Sequence, residues 1–259
     1  VSTLIKEIKK VNYKLLLDVL TRKFKSAYEV FEAEGVLLKV DNTVPSLINV
    51  VIAVRSIGRS NCYVIHFSTR HSNLKNIHRL HTYGKFNFSQ VDINHIYRYL
   101  KRNIPDLGYK SLKREPMIDD DIKALFMRHY ARKYNFIVSG DIDKSEWITG
   151  SFSKYYAGCS DILPLTGIYK TQLKSLSRAL RVSHLMKNTE EPRHWSMFKN
   201  SFKRVAITDE KIDAILYGLE KDWSISDIAD DIQISKSVVK TIRDNVEKSY
   251  YFRNSPITF

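Results

Sequence analysis

Apolar residues recur along this chain in two rhythms. Between residues 1 and 34 they fall at helical spacing (Leu4, Ile5, Ile8 and Val11, then Leu15, Leu16, Val19 and Leu20), which predicts one or two amphipathic helices. The pattern then tightens to an unbroken run, Gly35-Val36-Leu37-Leu38-Lys39-Val40, as expected of a buried strand. A polar turn at 41–43 follows, and Pro45 leads into a second apolar run from Leu47 to Val54. Proline fits near the start of a helix, where its missing N–H has no partner to lose. Further strands are expected at 62–67, 86–91 and 135–139, separated by helical patterns at 72–82, 93–102 and 118–134. Such alternation predicts right-handed βαβ units and an α/β fold, a doubly wound parallel sheet covered on both faces. One more helix is expected at 170–181, and the polar stretch 187–203 reads as a mobile loop. Helical patterns at 209–219, 225–231 and 236–250 form a C-terminal helical extension. The expected organisation is therefore basic helices at 1–34, an α/β core at 35–186, a mobile loop at 187–208 and a helical segment at 209–259.

Composition narrows the class. With 259 residues and 43% hydrophobic content, the chain can bury a sizeable core. Two cysteines, Cys62 and Cys159, cannot staple a fold of this size, and no Cys/His spacing suggests a zinc site. Without a secretory start or a long apolar run, a soluble, cytoplasmic chain with no membrane partner is expected. Val1 as the first residue leaves room for an initiator methionine or a short leader upstream.

The formal charge is +14, and its placement matters more than its size. From Asp209 onward seven Lys/Arg face ten Asp/Glu, so the first 208 residues carry about +17. The first 25 residues hold Lys6, Lys9, Lys10, Lys14, Arg22, Lys23 and Lys25 against Glu7 and Asp18. Such a run is either a solvated helix face or an arm for a polyanion.

The segment from Gly140 to Tyr155 reads G-D-I-D-K-S-E-W-I-T-G-S-F-S-K-Y, and continues through Ser160-Asp161-Ile162-Leu163-Pro164-Leu165 into Ile168-Tyr169-Lys170-Thr171-Gln172-Leu173. This resembles the run G-T-x-N-x-S-E-x-x-x-G-x-x-T-K-Y-G-D-G-x-x-D-I-x-P-L, then L-Y-K-T-Q-V, of the ammonia-dependent NAD synthetases. Leu216-Tyr217-Gly218-Leu219-Glu220 and Arg253-Asn254-Ser255-Pro256 also look like that family's tail. The resemblance implies a Rossmann-like fold of the N-type ATP pyrophosphatase kind, usually as a homodimer. It also implies a reaction in which Mg-ATP adenylates deamido-NAD and ammonia then displaces AMP.

That chemistry needs an amide-rich cradle for pyrophosphate, metal ligands and cations. The family's cradle is S-G-G-x-D-S, whereas the matching stretch here is Asp41-Asn42-Thr43-Val44-Pro45-Ser46. Both glycines are gone, a carboxylate faces the phosphate position, and proline replaces the metal-binding aspartate. Elsewhere the A-R-x-R-M helix falls near Asp119, Asp120 and Asp121, the threonine and asparagine of G-T-x-N are Asp141 and Asp143, and K-Y-G-D-G has become Lys154-Tyr155-Tyr156-Ala157-Gly158. No phosphate lid of the form K-x-P-S-A-x-L is recognisable in 187–194.

The residues still matching family site positions are Ser46, Lys154, Asp161, Lys170 and Arg253 for nucleotide, with Glu146 for metal. Glu146 and Lys170 could equally form a structural salt bridge, and Asp161 could hold a turn. A metal site on the 119–121 carboxylates competes with a solvated, dipole-favoured helix start. Residues 224–242 have helix-turn-helix spacing but are net acidic. Four histidines, His66, His71, His78 and His81, cluster around the second strand, with Arg70-His71-Ser72 at its carboxyl edge.

Three functions follow. The first is a dimeric scaffold that has lost the family's activity and binds a protein or nucleic-acid partner, with no cofactor of its own. The second is a divergent amide ligase still using ATP, Mg and deamido-NAD. The third is a nucleic-acid-binding protein acting through its basic N-terminal part.

Overall fold

The computed structural model describes residues 2–68, 74–104, 118–202, 205 and 207–254. Two helices open the chain, α1 (Thr3–Ile8) and α2 (Tyr13–Val30), followed by β1 (Gly35–Lys39), α3 (Val44–Ile57), β2 (Cys62–Ser68), α4 (Lys75–Gly84), β3 (Asn87–Asp92) and α5 (Asn94–Asn103). Next come α6 (Ile118–Tyr134), β4 (Phe136–Ser139), α7 (Lys144–Thr149), α8 (Lys170–Ala179) and α9 (Arg193–Asn200). The chain ends in α10 (Asp209–Glu220), α11 (Ile225–Ile232) and α12 (Lys236–Arg253). The strands pair in parallel in the order β3-β2-β1-β4. This is the expected α/β fold with a helical C-terminal region.

Burial explains the arrangement. Strand β1 is covered on both faces, so its sequence is apolar without alternation. Gly35 is required where it stands: a Cβ there would lie 2.8 Å from the rings of Phe136 and Tyr63. Helix α3 is buried from Pro45 to Ala53 and behaves as a core element apolar all round. Leu47, Ile48 and Ile52 are fully buried, and each contributes roughly 1.5–3 kcal/mol of burial. With α2, α4 and α8 this helix fills one face of the sheet, while α5 and α6 pack on the other. A third core joins α1 and α9 to the C-terminal helices.

One expectation is corrected. Residues 187–208 were expected as a mobile loop, yet they hold α9, whose Trp195 is fully buried against Phe198 and whose indole N–H donates to Asp209 at 3.0 Å. The polar surface of this short helix hid the single large anchor that docks it. Arg70, His71, Ser72 and Ser255-Pro256 lie outside the described residues. Among the described residues no helix is long and apolar enough to cross a membrane.

Candidate functional site

Reversal of strand order places a crevice at the carboxyl ends of β1 and β4, where sheets of this kind bind ligands. A cleft of about 220 Å³ opens there. Its walls carry seven carboxylates (Asp41, Asp119, Asp120, Asp141, Glu146, Glu190 and Glu191) against Lys39, Lys123 and Arg193. In a chain of charge +14 this is an acidic pocket.

Its cations are held internally. Lys39 Nζ lies 2.6 Å from Asp41 and 2.9 Å from Asp141, and Lys123 bridges Asp119 and Asp120 at 3.2 Å each. Arg193 reaches Asp119 at 3.1 Å, and His194 Nε2 meets Asp120 at 2.9 Å. Burial pushes the Asp41 carboxyl up, but Lys39 and Thr43 outweigh it and hold the group at about 2. Asp120 shows the same balance, with burial opposed by His194 and Lys123, and also settles at about 2. Asp141 differs: burial raises it more than Lys39 lowers it.

The turn at 41–46 is closed. Asp41 Oδ1 accepts from the Thr43 backbone N–H at 3.1 Å and from the Thr43 hydroxyl at 2.6 Å. The Asp41 N–H donates to Ser46 Oγ at 2.8 Å, and Ser46 is fully buried. Asn42 is roofed by the 187–190 segment: the Glu190 N–H donates to the Asn42 carbonyl at 2.8 Å, and Asn42 Nδ2 donates to Glu190 Oε1 at 3.1 Å. Asn76 Nδ2 donates both to Asn42 Oδ1 at 2.7 Å and to the Lys187 carbonyl at 2.5 Å. The amides at Asp41 and Thr43, which a phosphate nest would turn outward, are spent on side chains of the turn itself.

Lys170 and Glu146 are brought together, 3.3 Å apart, with Asp143 2.5 Å from the same ammonium. Asp143 caps α7 and forms a reciprocal capping box with Glu146. Burial and the nearby Asp143 raise Glu146 to about 8 in spite of Lys170. Beneath them Asp213 accepts from the Ser145 hydroxyl at 2.5 Å and from the Thr171 N–H at 2.8 Å, and burial raises it to about 7.

The remaining candidates lie apart. Asp161 is exposed and accepts the Val138 N–H at 2.7 Å, holding the end of β4. Lys154 Nζ stands over the rings of Tyr155 and Phe252 at 5.5 and 5.7 Å. Arg253 donates to carbonyls of its own helix, Ser249 at 3.4 Å and Val246 at 3.5 Å. His66 Nδ1 meets the Val40 carbonyl at 2.9 Å, while His78 and His81 pack against Phe88, so these three form no ligand set. Of the helix-turn-helix pattern, α12 buries Val238, Val239 and Ile242 against the C-terminal core. Sequence reasoning missed Lys39, Glu190 and Asp213, whose partners Asp141, Asn42 and Ser145 are far from them in sequence, beyond any local pattern.

Among the described residues no group of three or more ligating side chains is placed to hold a metal ion. The cleft carboxylates instead face lysine, arginine, histidine and backbone N–H partners.

A family model described as NAD synthase matches residues 16–256. The NH(3)-dependent NAD(+) synthetase of Thermococcus sibiricus is 24% identical over 253 residues, covering 96% of this chain and 98% of that one. The enzyme of the same name from Pyrobaculum aerophilum is 24% identical over 212 residues, with 81% and 79% covered. Among solved structures, the NH3-dependent NAD synthetase of Campylobacter jejuni in complex with nitrate superposes with a TM-score of 0.73 at 16% identity, covering 96% and 99%. The NMN synthetase of Francisella tularensis gives a TM-score of 0.75 at 16% identity and the same coverage.

Proposed function

Since this chain belongs to the NAD synthase family, we propose that it keeps the synthetase fold as a dimeric binding scaffold and has lost ATP-dependent amidation. The observation that carries this reading is the Asp41 carboxylate bonded to the Thr43 N–H inside a roofed turn. A phosphate entering there would meet like charge from Asp41 and Glu190 and find the Asp41 and Thr43 amides already used. Lys39 and Lys123 offer no rescue, because each is shared between two carboxylates. Relocating either toward a phosphate would strand those acids in a partly buried site.

The test is calorimetry with Mg-ATP against deamido-NAD and, separately, nicotinate mononucleotide, coupled to pyrophosphate release. No heat of binding and no pyrophosphate are expected. Micromolar ATP affinity with turnover would overturn the reading and favour the second one, a divergent ligase. Lys170 and Glu146, adjacent at the matching family positions with Glu146 on the cleft wall, are what favours that second reading. In that event Glu146→Gln and Lys170→Met should abolish product formation.

A further inference from the structure

Pro45 and the segment 190–192 border two cavities. One is the acidic cleft. The other is a pocket of about 530 Å³ walled by α8 and by the start of α10, within the size range of small-molecule sites, about 300–1,000 Å³. Most of its charges are already matched. Lys170 is committed to Asp143 and Glu146, Lys199 lies 2.5 Å from Glu191 and 3.0 Å from Asp209, and Glu210 pairs with Lys9 at 2.6 Å. Two charges are left over, and they are of opposite sign. Among the described residues the Lys174 ammonium, exposed on the wall formed by α8, has neither an acid nor a hydrogen-bond partner. Glu190 is exposed too, and its carboxylate has only a neutral donor, the Asn42 side-chain amide at 3.1 Å. The two line one pocket yet form no ion pair with each other, so a gap separates them.

The uncharged lining is partly hydrocarbon, from Val44, Pro45, Leu173 and Ile207. Val44 and Pro45 are the first turn of α3, a helix that no side chain caps, so its dipole adds to Lys174 in favouring a carboxylate. A ligand that answers both leftover charges carries a carboxylate and an ammonium close together, with an aliphatic stem to lie on the apolar lining. That is the description of a free amino acid. Phosphates fit poorly, because they would bring two or more negative charges to one free cation among four acids. Since Lys199 is shared by two acids, one further negative charge remains in the pocket, and a basic side chain is favoured over an acidic one.

We propose that this pocket binds a free amino acid with a basic side chain, its α-carboxylate at Lys174 and its α-ammonium at Glu190. The site goes beyond the scaffold reading and does not depend on it, since the amides closed inside the 41–46 turn play no part.

The test is calorimetry of the full chain with L-lysine and with two analogues that each lack one group. The diamine made by removing the carboxylate of lysine tests Lys174, and aminohexanoate, which lacks the α-ammonium, tests Glu190. L-lysine is expected to bind saturably, each analogue about tenfold more weakly, and L-glutamate more weakly still. Lys174→Met takes away an exposed cation without a partner, so its thermal melt should be unchanged. It should bind L-lysine about tenfold more weakly and no longer tell it from the diamine. Glu190→Gln keeps an oxygen for Asn42; it should weaken L-lysine to a similar extent and no longer tell it from aminohexanoate. Lys14→Met on α2 should bind as the unaltered chain does. No saturable heat with L-lysine up to about 10 mM, the region of affinities weaker than −4 kcal/mol, would overturn the proposal. So would a diamine that binds as tightly as L-lysine, which would reduce the pocket to a patch of negative charge. Full retention of L-lysine binding in Lys174→Met, or displacement of L-lysine by inorganic phosphate at equal ionic strength, would overturn it as well. None of these results bears on pyrophosphate release, so the scaffold reading stands or falls separately.

Discussion

The turn at 41–46 and the run at 140–173 start from the same family pattern and have parted from it to different degrees. In the turn, nearly every position that would face a phosphate has changed, and the new side chains bond to one another or to the 187–190 roof. In the run, the residues that still match mostly have partners inside the protein. Ser145 donates to Asp213 and accepts from the Lys170 N–H at 3.0 Å; Gln172 ties α8 to the Ile8 carbonyl at 2.7 Å and accepts the Tyr169 N–H at 2.9 Å. What endured is largely what holds α7, α8 and α10 together. A matching residue in this run therefore argues for the fold before it argues for catalysis, and the following variants test that division.

The largest effect is expected at Lys170. Its ammonium is buried between Asp143 and Glu146 and lies 4.8 Å from the Trp195 ring. Lys170→Met removes the cation and leaves Asp143 buried without its charge partner, which should cost roughly 3–5 kcal/mol in urea unfolding. A loss below about 1 kcal/mol would show the cluster to be dispensable to the fold and would return Lys170 to the list of ligand-binding candidates.

Asp213 comes next. Burial raises its carboxyl from 3.8 to about 7 in the folded chain. A carboxyl raised in this way contributes most below its unfolded value and loses that contribution as pH climbs toward the folded one. Between about pH 4 and 7 the stability of the native protein relative to Asp213→Asn should thus fall by at most about 4 kcal/mol. Unfolding midpoints of the two proteins across that range decide it; parallel profiles would mean that the Ser145 and Thr171 donors keep the carboxylate ionised.

At the turn the opposite sign applies. Asp41 is held at about 2, so its contribution is present above 3.8 and is lost as pH falls toward 2. Asp41→Ala removes an acceptor for Thr43 and one of the two partners of Lys39, and should destabilise by about 1–3 kcal/mol. Titration of this variant with Mg-ATP should still be flat, because Pro45 and the Glu190 roof remain. Saturable heat would mean that Asp41 alone barred the ligand.

The strands and helices of the core were legible because apolar runs of β1 and α3 are long, unbroken and bounded by turn residues. Closure of 41–46 was foreshadowed only in its chemistry, by a carboxylate and a proline where glycine and aspartate were required. That Glu190 and Asn76 complete the closure could not be read, since both are distant in sequence and neither belongs to a motif. Helix α9 was invisible for a related reason: Trp195 sits in a polar stretch, and its burial is decided by the C-terminal core, by Asp209 at the start of α10 and by Lys170 of α8. Glu146 and Lys170 were legible as a pair, but the third member, Asp143, stands where the family pattern has asparagine.

Asp161 offers the smallest and sharpest measurement. It matches the family run and was a nucleotide candidate, yet its carboxylate accepts the Val138 N–H at 2.7 Å while its own N–H donates to the Val138 carbonyl at 3.0 Å. That exchange, beside the single parallel bridge between Ser139 and Ile162, ties the loop after α7 to the end of β4, an edge strand of the sheet among the described residues. Being exposed, the carboxylate gives up little solvation to make the bond, and the freed Val138 N–H can find water in its absence. Asp161→Ala should therefore cost about 0.5–1.5 kcal/mol, the net worth of one such hydrogen bond, in urea unfolding. Asp161→Asn, which keeps an acceptor oxygen and removes the charge, should recover most of it. If the asparagine variant fell as far as the alanine one, the charge rather than the hydrogen bond would be what the fold uses. Asp161 would then belong with the electrostatics of the cleft instead of with the edge of the sheet.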